Sequence, residues 1–128
     1  MLPLNVEIKD YPFNPRGSAK VVGTKPGPDG RPLYRVFLRL EGPDLPLVKS
    51  VVYIFDSSVS PREVSVPRSE TTPDCLYEVW LWGKFEVNGY VFDVKDQTYT
   101  LPPHYLDYDS YFDDAAFKKF GLQIAKMA

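Results

Sequence analysis

The chain has 128 residues, with 15 basic and 17 acidic side chains, a formal net charge of −2 and 15% aromatic content. This length suits a single domain with one core, and the charge balance lacks the positive footprint that nucleic acid requires. A lone cysteine, Cys75, rules out an intramolecular disulfide, and no apolar run approaches the length of a membrane span.

The opening segment Met1–Asp10 has neither a basic start nor a long apolar stretch, so it is not expected to be a secretory signal. Asn5 to Ile8 is a candidate first strand, ended by the prolines Pro12 and Pro15. Ala19 to Thr24 is a weaker second candidate. Lys25 to Pro32, rich in proline and glycine, is a predicted loop. Leu33 to Leu40 alternates. Tyr34, Val36, Leu38 and Leu40 share one face, and Arg35, Phe37 and Arg39 share the other, as in a half-buried strand. After the Gly42-Pro43-Asp44 turn, Leu47 to Phe55 is apolar on both parities. That predicts a central strand covered on both faces, or one with a bulge.

A long loop from Asp56 to Asp74 follows, interrupted by a short strand at Val64 to Val66. Long loops in compact domains are often functional. Asn88-Gly89 then lies between two β-rich runs and predicts a hairpin with a two-residue turn. That register pairs Val87 with Tyr90 and Phe85 with Phe92 on an apolar face. It places Glu78, Trp80, Trp82, Lys84 and Glu86 on the opposite, outer face. Two tryptophans side by side among charges mark a contact surface, unless another segment folds over them. Thr98 to Leu101 is the last predicted strand, stopped by Pro102-Pro103.

From Asp109-Ser110 the period changes. Ala116, Phe117, Phe120, Ile124 and Met127 recur at helical spacing, with acids leading and lysines trailing. The expectation is a β-sandwich over residues 1–108 and a C-terminal amphipathic helix over 109–128, loosened near Gly121. The sandwich is expected to be antiparallel and immunoglobulin-like, because short strands recur between turn signals.

No reactive constellation stands out. His104 sits beside Pro102-Pro103 and is expected to be an ordinary loop residue at a strand end. Cys75 has an acidic neighbour, Asp74, where a reactive thiol needs basic ones. Asp107, Asp109, Asp113 and Asp114 fail the EF-hand pattern, since Tyr111, Phe112 and Lys118 occupy required positions. No phosphate-binding loop is present. The chain is therefore expected to be no enzyme and to use no metal or cofactor.

Three segments resemble the YEATS domain: Tyr34 to Pro43, Val48 to Ser58, and Tyr77 to Val87. The similarity spans about Leu33 to Leu106 and is closest to the prokaryotic branch, through Trp82-Gly83-Lys84-Phe85. The resemblance implies an immunoglobulin-like sandwich and a non-enzymatic reader of acylated lysine, which clamps the acyl group between aromatic rings in loops. It places the family's His-x-Ser-Phe loop on Asp56-Ser57-Ser58-Val59, with Asp56 for the histidine and Val59 for the aromatic. It places the Gly-Tyr-x-x-Phe segment on Leu81 to Phe85, with Trp82 for the tyrosine. The aromatic of the earlier loop is missing from Lys25 to Pro32.

The candidate ligand-binding residues are thus Asp56, Ser58, Val59, Trp80, Trp82 and Phe85. The expected function is recognition of a peptide, modified side chain or partner protein. The expected setting is the cytoplasm, accessory to a prokaryotic signalling or defence system, with no nucleic acid or membrane partner. The alternative is an assembly domain whose tryptophan face and C-terminal helix mediate oligomerisation.

Overall fold

The structure is a computed structural model that describes residues 4–16, 21–27, 30–59, 61–83, 85–108 and 123–126. The described residues form ten strands: β1 (Glu7–Tyr11), β2 (Val21–Pro26), β3 (Pro32–Glu41), β4 (Val48–Ile54), β5 (Glu63–Pro67), β6 (Tyr77–Leu81), β7 (Glu86–Asp93), β8 (Thr98–Thr100), β9 (His104–Tyr105) and β10 (Gln123–Lys126). One sheet runs β1-β3-β2-β10, with β6 also paired to β3. The other runs β5-β4-β7-β8, with β9 also paired to β7.

The chain divides into two compact units. The first holds Met1–Lys9, Leu38–Tyr77 and Phe85–Leu106; the second holds Asp10–Phe37, Glu78–Lys84 and Asp107–Ala128.

In the first unit, Val48, Val51, Tyr53, Val87 and Val91 have no exposed surface. Strand β4 lies between β5 and β7, and its register with β7 shifts between Val48 and Ser50. This irregularity explains why both parities of β4 are apolar: a bulge exchanges the faces. The Tyr53 hydroxyl would be costly to bury alone. It donates to the Cys75 carbonyl at 2.8 Å.

The alternation predicted for β3 is present. Val36, Leu38 and Leu40 are buried, while Arg35 and Arg39 are half-buried. Phe37, on the arginine parity, is also buried, with the Arg35 guanidinium 5.4 Å from its ring centre. Strands β2 and β3 end on facing prolines, Pro26 and Pro32, inside the segment expected to be loop. Proline is tolerated at a strand end because the last rung can dispense with its missing N–H.

The Asn88-Gly89 hairpin is absent. Both residues lie inside β7, where Asn88 faces Ile54 and Gly89 faces Tyr53 of β4. Strands β6 and β7 belong to different sheets, so the predicted cross-strand pairs do not form. Gly89 is not among the positive-φ glycines of the described residues. Its small size is what matters: a Cβ there would lie 2.7 Å from the Val52 carbonyl oxygen. The hairpin forms one strand later, between β7 and β8. Asp93 organises its turn by accepting the Lys95 and Gln97 amides at 2.8 and 2.9 Å. Asp96 takes the left-handed position there, at φ 62.

Of the predicted C-terminal helix, residues 109–122 and 127–128 lie outside the described residues. Residues Gln123–Lys126 form strand β10, parallel to β2, so the helix does not extend through them. The β2 edge supplies the backbone partners of this segment.

Two substitutions separate a turn glycine from a strand glycine at position 89. Gly89→Ala should destabilise the protein by about 1–3 kcal/mol in urea unfolding, while exposed Asn88→Thr should change it by no more than about 0.5 kcal/mol. A turn at Asn88-Gly89 would instead make both substitutions costly.

Candidate functional site

The six predicted site residues fall into two groups. Asp56, Ser58, Val59 and Phe85 belong to the first unit, and Trp80 and Trp82 to the second.

Asp56 to Val59 form a tight turn directly after the buried end of β4. The Phe55 amide donates to the Arg62 carbonyl at 2.7 Å, and the Val59 amide donates to the Asp56 carbonyl at 3.0 Å. The Asp56 carboxylate accepts from the Ser58 amide at 3.0 Å and from the Ser58 hydroxyl at 2.6 Å. These bonds hold the Asp56 carboxyl below its ordinary range. They also fix the hydroxyl's orientation. With its proton given to Asp56, Ser58 Oγ presents lone pairs that can accept an N–H from a ligand. Asp56 and Ser58 are exposed and Val59 is half-buried. Phe85, half-buried just before β7, accepts the Leu106 amide on its carbonyl at 3.2 Å.

In the second unit the predicted phase of β6 holds although the predicted turn does not. Leu81 is buried, Trp80 is half-buried, and Trp82 is 44% exposed. Both indoles carry a cation. The Lys25 ammonium lies 4.4 Å from the Trp80 ring centre, and the Arg31 guanidinium 4.5 Å from that of Trp82. Such contacts contribute about 0.5–1 kcal/mol each at exposed sites.

The two cations come from opposite arms of the β2–β3 hairpin. Lys25 faces Leu33 in register, so its chain reaches past β3 towards β6. Arg31 precedes β3, in a loop closed by Gly27 donating to the Arg31 carbonyl at 2.9 Å. A side chain on Gly27 would overlap that carbonyl oxygen, and Gly30 sits at φ +85. The loop therefore needs both glycines to bring Arg31 onto the indole. Alongside, Arg35 lies against Gly23, bonds the Val21 carbonyl at 3.4 Å and meets Glu78 at 4.0 Å.

Sequence reasoning missed Lys25 and Arg31. It searched their loop for an aromatic ring, and the available signal was a basic residue at each end of a proline-glycine loop. It also missed a cleft of about 1080 Å³ in the first unit, lined in part by Leu4, Val6, Glu7, Glu41, Asp44 and Leu101. Gly42, at φ +148, packs against the Asn5 carbonyl beside it.

The groups weighed for catalysis are otherwise engaged. Cys75 is buried, and burial followed by the Asp74 charge pushes its thiol up to about 11, far from a reactive thiolate. His104 lies on strand β9 opposite Val87, within a short ladder and not in a loop. Among the described residues, no three of His, Cys, Asp and Glu stand together as a metal site.

No family of known sequence pattern and no curated protein matches the chain. Solved structures do. The Yaf9 YEATS domain recognizing an H3K122suc peptide aligns at TM-score 0.51 and 18% identity, covering 83% of this chain and 70% of that one. The yeast AF-9 homolog protein Yaf9 aligns at TM-score 0.52 and 16% identity, covering 84% and 70%. The chain is thus similar in fold to an all-β YEATS domain.

Two measurements check this geometry. The Asp56 carboxyl should titrate below the ordinary Asp value of about 3.9 in a carbon-detected NMR pH series. Ser58→Ala should bring it back up. The stabilisation from Asp56 is then present above the ordinary pKa and is lost as pH falls through the depressed one. Gly27→Ala should displace Arg31 and shift tryptophan emission to longer wavelength, as the Trp82 indole loses its cover. An unchanged spectrum would show that the loop does not hold the cation in place.

Proposed function

Taking a YEATS-like fold as the premise, we propose that this domain is a non-catalytic recognition module for a peptide or a protein partner, with Trp82 as its contact anchor. The carrying observation is the exposed Trp82 indole, held by a built loop at the end of β6. An aromatic ring kept at the surface by dedicated supporting structure is typical of a binding anchor. The Asp56–Ser58 turn supports the same reading, because it orients a hydroxyl acceptor suited to an amide N–H. One YEATS domain of similar fold recognizes an H3K122suc peptide, which adds weight to a peptide as the ligand. The high thiol pKa of Cys75 argues against nucleophilic chemistry there.

The resemblance of Trp82-Gly83-Lys84-Phe85 to the prokaryotic branch supports an accessory role in a prokaryotic signalling or defence system. A buried, unbridged Cys75 fits the reducing cytoplasm in which such a system would work.

A peptide-array screen of the wild type against Trp82→Ala tests the proposal, with circular dichroism confirming that both are folded. Loss of the anchor should weaken the best-binding peptides by roughly 10- to 100-fold, the scale of a binding hot spot. Ser58→Ala should weaken them by about tenfold or less, the scale of one hydrogen bond. Equal array signals from wild type and Trp82→Ala would remove the indole from the site and defeat the reading.

A further inference from the structure

We propose that the open edge of strand β5 is a self-association surface, pairing antiparallel with β5 of a second copy across a two-fold axis at Val64. The surface lies wholly in the first unit and does not involve Trp82, so it stands apart from the recognition reading.

Strand β5 ends its sheet, in the order β5-β4-β7-β8, and among the described residues β4 is its one partner strand. Hydrogen bonds at either end fix which residues face outward. The Phe55 amide donates to the Arg62 carbonyl at 2.7 Å, and the Arg68 amide to the Lys49 carbonyl at 2.9 Å. Bonded positions in an antiparallel ladder recur every second residue. Val64 and Val66, between those ends, therefore turn their N–H and C=O groups to Tyr53 and Val51 of β4. Glu63 and Ser65 turn theirs to the open side, and both residues are exposed. Pro67 shares this outward parity, and Pro61 stands two residues before Glu63; neither carries an N–H. Prolines at an edge guard it against long pairings, and here they leave a window of two donors, Glu63 and Ser65.

That window is complementary to itself. Antiparallel registers centred on Glu63, Val64 or Ser65 each give every outward N–H a carbonyl, and side-chain charge separates them. An axis at Ser65 sets Arg62 against Arg68 of the second copy, and an axis at Glu63 sets the two Glu63 carboxylates together. Like charges directly opposed are unfavourable, and an axis at Val64 avoids both. Glu63 then exchanges both backbone bonds with Ser65 of the second copy, and its carboxylate faces a hydroxyl whose proton it can accept. The two Val64 side chains, half-buried in the single chain, meet on the axis. Pro61 falls opposite Pro67, so the residues without an N–H face each other and no donor is stranded.

So few backbone bonds make a weak dimer, with an expected dissociation constant on the order of 10⁻⁴ M. Analytical ultracentrifugation from about 10 μM to about 1 mM should show reversible exchange between monomer and dimer. Over that range the Glu63 and Ser65 amides should gain roughly fourfold protection from hydrogen exchange. Val64 and Val66, already bonded to β4, should change little. Ser65→Pro removes one outward N–H and spares the β4 ladder, so it should abolish both effects. Val64→Lys opposes like charges on the axis and should do the same, which keeps the test open if Ser65→Pro does not fold. Trp82→Ala should leave the dimer unchanged. A monomer throughout, or a dimer whose Glu63 and Ser65 amides exchange freely, would overturn the proposal. So would a dimer that survives Val64→Lys, or one lost in folded Trp82→Ala, which would assign association to the tryptophan face.

Discussion

The closing of the short loop between Gly27 and Arg31 is the constraint on which the candidate surface depends. The Gly27 amide meets the Arg31 carbonyl at 2.9 Å, in a space that no side chain on residue 27 could share. That closure turns Arg31 onto Trp82 and leaves Lys25, on the other arm, to reach Trp80. Without it the Trp82 indole would lose the cation on its face. With it the two indoles form a mixed aromatic and cationic face, chemically suited to contact and kept from simple hydrophobic association.

The strands were largely legible, because side-chain period is set by the pleat and survives errors in connection. The alternation in Tyr34 to Leu40 and the two-sided apolar run in Val48 to Phe55 correspond to β3 and to the bulged β4. The phase of Glu78, Trp80 and Trp82 was also readable, since Leu81 is buried and Trp82 exposed. What misled was Asn88-Gly89. Local preference allows a tight turn there, yet β7 is paired to β4 on one edge and to β8 and β9 on the other. Ladder bonds and a close approach to Val52 outweigh a turn propensity that amounts to a small free energy. The turn that does form, at Asp93 to Gln97, uses a carboxylate as acceptor and a left-handed aspartate, signals weaker on paper than Asn-Gly.

The candidate site was legible in part for a related reason. A single side chain of unusual size, such as Trp82, declares itself, whereas a partnership across strands does not. Lys25 and Trp80 are far apart in sequence and meet through the order β2-β3-β6, which pattern alone does not reveal. The Asp56–Ser58 bond is local, yet the sequence showed only that Asp56 stands where the family it resembles has a histidine. The structure instead gives that carboxylate the task of fixing its neighbour's hydroxyl. Residues were thus found by type, and their work only by geometry.

The central claim is that Lys25 and Arg31 lie on the faces of the two indoles, and proton NMR reads this directly through ring currents. The account predicts that the Lys25 ε-methylene and Arg31 δ-methylene protons are displaced upfield, with nuclear Overhauser contacts to Trp80 and Trp82 respectively. Methylene protons at ordinary shifts, with no contacts to either indole, would contradict it.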